Sequence, residues 1–341
     1  MTLRHTPVQW RTGRWHLIAV VLIAVLSAIP ARPQNLAPAS TAGARTPQDL
    51  VDALHAAFGE HHARAVHAKG LLLDGTFTPS KDARALSRAP IFTSATLPVI
   101  VRFSDFTGIP DIPDTAGEAN PRGFAVKIRA ASGDVDIVTH SFNGFPVATS
   151  DEFAVFLRAI GASGAGVAHP TPIEVFLDRH PVAKHFVASQ KPPPASYATA
   201  AYFGVNSFKF TSASGRAAYV RYRFVPRAGE HYLSAAELEG KGPNYLLDEL
   251  PRRLAKEAIV FDWFAQISEA GDKVEDPSIA WPEERRLVPL GTITITRVTR
   301  TTDADRTTLF LPGTSHPGIE PADQMLTLRD DAYPISFKAR Q

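Results

Sequence analysis

Leu71-Leu-Leu-Asp-Gly-Thr-Phe-Thr78 opens a run of short, β-rich segments that sets the fold class. Val99-Ile-Val-Arg-Phe103, Gly123-Phe-Ala-Val-Lys-Ile-Arg129 and Asp136-Ile-Val138 follow, punctuated by Gly, Pro and Asp. Such punctuation between β-branched and aromatic runs reads as successive strands. Further along, Ser207–Thr211 and Ala217–Val225 flank Ser214-Gly215, a hairpin signal. In Leu287–Val298, Ile293 and Ile295 alternate with threonines, the period of a strand with one buried face. Helical patterns surround these runs. Thr46-Pro47 reads as an N-cap with a first-turn proline, Leu50, Leu54 and Phe58 recur at helical spacing, and Gly59 stops the helix. Phe153–Ile160 follows a Thr149-Ser150-Asp151 cap, and Thr171–His180 is a further helix. Tyr245–Ile267 reads as mostly helical, with Pro251 ending or kinking a first segment. The expected fold class is α+β: an antiparallel β-barrel with surrounding helices.

The chain has 341 residues, 44% hydrophobic and 21% charged, enough to bury a large core. A formal net charge of +2, with no dense Lys/Arg stripe, gives no general attraction to nucleic acid or anionic membranes. Cysteine is absent, which excludes disulfides, thiolate nucleophiles, thiolate-bound zinc and iron–sulfur clusters. Any metal must be held by His, carboxylate, Tyr or backbone oxygen. Arg4, Arg11 and Arg14 precede an apolar run from Leu17 to Ile29, and the small residues Ser27, Ala28 and Ala31 at its end offer cleavage sites. This is the pattern of a cleavable export signal, and the run is short for a membrane span. The expected organisation is a signal peptide over 1–31, an Ala/Pro/Ser-rich linker over 32–45 and one folded domain over 46–341. The working domain is then exported, to a periplasm or beyond; an uncleaved anchor is the alternative.

No Walker loop, H-E-x-x-H, G-x-S-x-G or EF-hand pattern is present. His61, His62 and His67 cluster in sequence, but their spacing matches no standard zinc site. Arg64-Ala-Val-His67-Ala-Lys-Gly70 leads into the first strand, so His67 can point into a cavity at the strand entrance. In Val101-Arg102-Phe103-Ser104, alternation puts Arg102 and Ser104 on one face. A buried Arg there must meet an anion, either a bound carboxylate or a protein salt bridge. His140-Ser-Phe-Asn143-Gly-Phe-Pro146 lies between a strand and a helix, where Asn143 is a polar or a turn residue. In Arg329-Asp-Asp-Ala-Tyr333-Pro334, Arg329 and Tyr333 share one helical face, and Pro334 is expected to end the helix just after Tyr333.

Together these segments resemble the haem catalase superfamily, in order along the chain as well as in content. Arg64-x-Val-His67-Ala-Lys-Gly70 looks like its distal-histidine motif. Val101-Arg-Phe-Ser104 and Asn120-Pro-Arg-Gly-Phe-Ala-Val-Lys127 look like barrel strands, and Ser207-Phe-Lys-Phe210 with Tyr219-Val-Arg-Tyr-Arg-Phe224 like a later hairpin. Asp276–Pro282, Pro289-Leu-Gly291, Pro317–Pro321 and Arg329-x-x-x-Tyr333-Pro334 match in order, the last like the proximal haem motif. The resemblance runs from about Thr46 to Arg340. The chain ends soon after the tyrosine motif, its distal loop lacks the usual Gly-Asn-Asn-Thr-Pro, and Ala148 stands where the family has phenylalanine. This resembles the small catalase-related peroxidases rather than full catalases.

The resemblance implies haem, of the b type, with Tyr333 as iron ligand and Arg329 stabilising its charge. It implies His67 as the acid–base toward peroxide, Asn143 as a hydrogen-bond donor to peroxide and Ser104 fixing the His67 ring. Arg64, Arg102 and Arg340 would face the haem propionates, and Val66 and Phe156 would line the distal cavity. The implied activity is peroxidase with weak catalase activity; the implied partners are peroxide and a small organic electron donor. No nucleic acid and no stable membrane span are expected, and homo-oligomer formation is left open. Three alternatives remain: rearrangement of lipid hydroperoxides, a haem- or lipid-binding barrel without turnover, and a histidine metal protein using His61 and His62.

Overall fold

A computed structural model describes residues 46–300 and 303–341; the expected signal and linker lie outside them. Eight antiparallel strands close into a barrel. They are β1 (Gly70–Pro79), β2 (Leu97–Ser104), β3 (Gly123–Ile128), β4 (Val135–His140), β5 (Tyr202–Thr211), β6 (Ala217–Pro226), β7 (Ile259–Ile267) and β8 (Leu287–Val298). The order is β4-β3-β2-β1-β8-β7-β6-β5, and the His140–Phe203 bridge joins β4 to β5. A short ninth strand, β9 (Ile319–Pro321), adds to β5. Closure removes the exposed edges that an eight-stranded sheet would otherwise carry.

Alternation divides each strand between two environments. Val99, Val101 and Phe103 on β2, and Phe124, Val126 and Ile128 on β3, point into the barrel and join its core. The interior is unusually aromatic: Phe77, Phe92, Phe210, Phe224, Phe261, Trp263, Tyr197 and Tyr202 are all buried there. Phe103 stacks on Tyr197 at 5.3 Å and Phe124 on Tyr202 at 5.0 Å. Each such ring contributes about 1.5–3 kcal/mol by burial, and offset contacts add to that. The barrel is therefore a packed core, and the opposite faces of β2–β4 are left to build a site outside it.

Helices cover that outer face. α1 (Pro47–Phe58) starts at a Thr46–Asp49 capping box, and Gly59 follows it. α2 (Ser150–Gly161) is capped by Thr149, and α3 (Pro172–Arg179) by Thr171. α4 (Pro181–Ala188) follows directly. α1 packs on α2 and on the last helix, α6 (Gln324–Ala339).

Three expectations are corrected. Tyr245–Ile267 is not one helical region: α5 (Tyr245–Leu254) is followed by strand β7 from Ile259. Pro251 does not end α5, which runs on to Leu254. Nor does Pro334 end α6, which continues to Ala339. That last turn is held by tertiary bonds: Ser336 Oγ accepts from Ala65 N at 3.2 Å, and Arg340 donates to Arg306 O and Thr308 O.

Candidate active site

Between the outer face of β2–β4, α1 and α6 lies a cavity of about 770 Å³ including its mouth. Its walls include Leu50, Val51 and Leu54 of α1, Ala125 and Val138 of the barrel, Phe310, and Tyr333 and Ser336 of α6. His67, Val66, Ser104, Arg64, Arg102 and Arg340 line it as well.

His67 has a left-handed backbone, φ +57°. For a non-glycine residue this costs about 1–2 kcal/mol. The conformation is held from both sides: His67 N donates to Phe106 O at 2.9 Å, and Arg102 donates to His67 O at 2.8 Å. The ring packs edge-on against Phe106, and Nδ1 lies 3.1 Å from Ser104 Oγ. Burial, then the positive charge of Arg102, push its pKa down to about 3, so the imidazole is neutral at physiological pH. Gly123 makes room for it. A Cβ at position 123 would fall 2.4 Å from Ser104 Oγ and 2.7 Å from His67 Nδ1.

On the α6 wall, Arg329 donates to Tyr333 Oη from Nε at 3.2 Å and from Nη2 at 2.6 Å. Its remaining arm donates to Asn206 Oδ1 at 2.6 Å. The phenol oxygen is thereby fixed as an acceptor beside a positive charge.

At a third wall, Arg64, Arg102 and Arg340 gather around Asp305. Arg102 Nε is 2.5 Å and Arg64 Nη2 3.2 Å from Asp305 Oδ1. Burial first, then Arg102, lowers the Arg64 pKa to about 9, and the same two causes lower Arg340 to about 10. Burial alone would raise Asp305, but Arg102 and Arg64 hold it down to about 2. Three guanidinium groups thus face one carboxylate. Among the described residues, the buried Arg64 Nε has no partner.

The structure brings His67, Ser104, Val66, Arg64, Arg102, Arg340, Arg329 and Tyr333 together in or against this cavity. It does not bring Phe156 there. That ring packs with Val147, Phe176 and Ala183 in a satellite cluster. Asn143, on the bend after β4, is not among the cavity-lining residues either. Asp305, Gly123 and the apolar face of α1 were not expected. Asp305 lies 241 positions from Arg64 in a one-turn helix, Ala304–Thr307, so no local signal marks it. His61 Nε2 bonds its own helix end, Phe58 O, at 2.8 Å. Among the described residues no group of His, Asp or Glu is arranged to hold a metal ion, which weighs against a histidine metal site.

The family profile described as Catalase matches residues 34–340. The chain belongs to the catalase family. It is 36% identical over 304 residues to the catalase-related peroxidase of Mycolicibacterium paratuberculosis, covering 87% of this chain and 96% of that one. It is 31% identical over 338 residues to the catalase-related peroxidase of Synechococcus elongatus, covering 97% of both. Catalase A of Emericella nidulans is 31% identical over 293 residues, which is 77% of this chain but 38% of that protein. In fold, this catalase-family chain superposes on a fungal catalase with a TM-score of 0.71 at 21% identity, over 90% of this chain and 67% of the other. It is an enzyme of the catalase/peroxidase type, acting on peroxide.

Proposed function

We propose that the chain is a haem b peroxidase that reduces hydrogen peroxide or organic hydroperoxides with a small organic electron donor, and that its catalase activity is weak. The observation carrying this reading is one cavity lined by both a neutral, strained His67 and an arginine-held Tyr333. The donor set fits haem. Tyrosine is the axial ligand haem takes in catalases, and the guanidinium of Arg329 would stabilise charge on that oxygen. Three arginines against one carboxylate leave an excess of two positive charges, which matches two propionates. The unpartnered Arg64 Nε supports the same assignment. Bound haem would supply the redox chemistry, accepting the oxidising equivalents of the peroxide O–O bond and passing them to a donor.

The residues of the chain handle the proton. A hydrogen on His67 Nδ1 directed at Ser104 Oγ leaves the other ring nitrogen with its lone pair free. That nitrogen takes the proton from one peroxide oxygen and returns it to the leaving oxygen, which departs as water or an alcohol. Peroxidase is favoured over catalase because the two relatives matched along nearly their whole length are both named catalase-related peroxidases. The basic, apolar and small-residue order of the first 31 residues supports export.

The test is a visible spectrum of purified protein with and without added haem, then turnover with peroxide alone and with a phenolic donor. A Soret band lost in Tyr333→Phe, with turnover that rises on adding donor, is expected. Rapid oxygen release indifferent to the donor would reverse the ranking; absence of haem binding would sink the reading. Cell fractionation checks export, with the shortened chain expected outside the cytoplasm.

A further inference from the structure

Tyr232 stands at the surface, outside the cavity, half-buried in the segment that follows β6. Its hydroxyl donates to Glu230 Oε2 at 2.6 Å. Lys191 sits over the same ring at 4.9 Å and pairs with Glu230 at 2.7 Å. The backbone fixes this trio: Tyr232 bridges to Pro194, His231 N donates to Thr199 O at 2.9 Å, and Leu233 N donates to Pro193 O at 2.9 Å. From below, the N–H of the buried Ala201 acts on both the Tyr232 hydroxyl and the Glu230 carboxylate. Ala201 immediately precedes Tyr202, the first residue of β5.

From Tyr202 packed rings lead to the cavity. Tyr202 is fully buried and stacks on Phe124 of β3 at 5.0 Å. Phe124 is among the residues lining the cavity. Electron tunnelling falls steeply with distance, so packed rings joined by short contacts carry an electron better than a gap does. A phenol that gives up an electron becomes a strong acid and needs a base within hydrogen-bond reach, about 2.6–3.2 Å. That requirement separates the tyrosines. Tyr202 donates to Tyr197 O and Tyr245 to Pro194 O, and a carbonyl cannot keep the proton. Tyr197 has a base, Asp105 Oδ1 at 2.7 Å, but it is fully buried and out of reach of a reductant. Tyr232 has both a carboxylate base and a face in water.

We propose that Tyr232 is a second oxidation site, at which phenolic reductants too bulky for the cavity give up electrons one at a time. This rests on the functional reading above, because the oxidant is haem that peroxide has oxidised. One electron leaves the Tyr232 ring and passes by way of Tyr202 and Phe124 to the haem, which is reduced by one equivalent. The phenolic proton moves to Glu230 Oε2, leaving a neutral phenoxyl radical. The ring under Lys191 gives up its electron reluctantly, which makes its radical the stronger oxidant. A bulky phenol at the surface then returns one electron, Glu230 returns the proton, and the phenol leaves as its own radical after releasing a proton to water. Two such cycles consume the two oxidising equivalents of one peroxide.

The probe is guaiacol, free and tethered to dextran, given with hydrogen peroxide to the haem-loaded protein. Tyr232→Phe should lower kcat/KM for the tethered form about tenfold or more and leave the free form within about twofold. Glu230→Gln, which keeps a hydrogen-bond partner but no base, should lose as much. Tyr232→Trp, whose indole is oxidisable without that base, should recover part. Radical trapping gives a readout apart from turnover. Peroxide with a nitroso spin trap and no donor should label Tyr232, seen by peptide mass spectrometry, and the label should vanish in Tyr232→Phe. Tyr219→Phe, at a tyrosine 41% exposed, should change neither result. Unchanged rates with tethered guaiacol in Tyr232→Phe overturn the proposal, as does a label on Tyr197 or Tyr219 in place of Tyr232. Absence of a Soret band sinks the functional reading and this proposal with it; a Soret band and turnover of free guaiacol beside those failures overturn the proposal alone.

Discussion

Ser104 and Gly123 act on His67 from adjacent strands, one by contact and the other by having no side chain. Ser104→Ala removes the hydrogen bond at His67 Nδ1 and leaves the ring's orientation to packing against Phe106. The expected cost in stability is about 1 kcal/mol. The expected kinetic effect is larger, about tenfold in kcat/KM for peroxide, because the free ring nitrogen then samples unproductive angles. Gly123→Ala is harsher. Its Cβ would press on Ser104 Oγ at 2.4 Å and on the His67 ring at 2.7 Å, so the imidazole must leave its place. Peroxide reactivity should fall by at least a hundredfold, while far-ultraviolet circular dichroism stays that of the wild type. Reactivity within a few-fold of wild type in both variants would mean that the His67 ring needs no such seating. His67 and Ser104 were legible in the sequence because they sit in short local motifs. Gly123 was readable only as part of a strand; its function depends on a register that pairs it with Ser104.

Among the elements, α6 carries most of the site: Arg329 and Tyr333 one turn apart, then Ser336, with Arg340 at its C-cap. Local spacing predicts the first pair. The run past Pro334 is not local, because bonds from Ala65 to Ser336 and from Arg340 to the 306–308 backbone keep the last turn formed. Tyr245–Ile267 misled for a related reason. Ile259-Val-Phe-Asp-Trp-Phe-Ala-Gln-Ile267 is apolar enough to satisfy either period. The decision comes from Phe261, Trp263 and Ala265 filling the barrel and from ladders to β6 and β8 on both sides. The one-turn helix holding Asp305 had no sequence signal at all, and it yields a prediction. Asp305→Asn leaves Arg64, Arg102 and Arg340 without a counter-charge. Asp305 is 37% exposed, so solvent screens part of the loss. Haem-free stability should drop by about 1–2 kcal/mol, less than for a fully buried pair. Haem affinity should rise, since a competing carboxylate is gone from the cradle. Denaturant melts and haem dissociation rates check both; a fall in haem affinity would make Asp305 part of the propionate site rather than its competitor.

At the scale of the whole molecule, closing the barrel turns one face of each strand into core and pushes chemistry to the other, where helices seal titratable groups away from water. This fixes the acid limb of stability. His67 and His140 have folded pKa values of about 3, below the about 6.5 of an unfolded histidine. Their stabilising contribution is complete above pH about 6.5 and is lost as pH falls toward 3, because the unfolded chain takes up protons that the folded one refuses. Asp105 acts the other way. Burial, opposed by Arg122, raises it to about 6, so between about 6 and 4 the folded state binds the extra proton. The loss from the two histidines is joined by Asp305, which Arg102 and Arg64 hold down, and is opposed by Asp105 and by the burial-raised Asp136, Asp323 and Asp330. Between pH 7 and pH 4.5 the melting temperature of haem-free His140→Phe should therefore fall less than that of the wild type, because one of the two histidines no longer titrates. Parallel pH profiles for wild type and variant would place the acid sensitivity in other groups and leave His140 accessible to protons in the folded state.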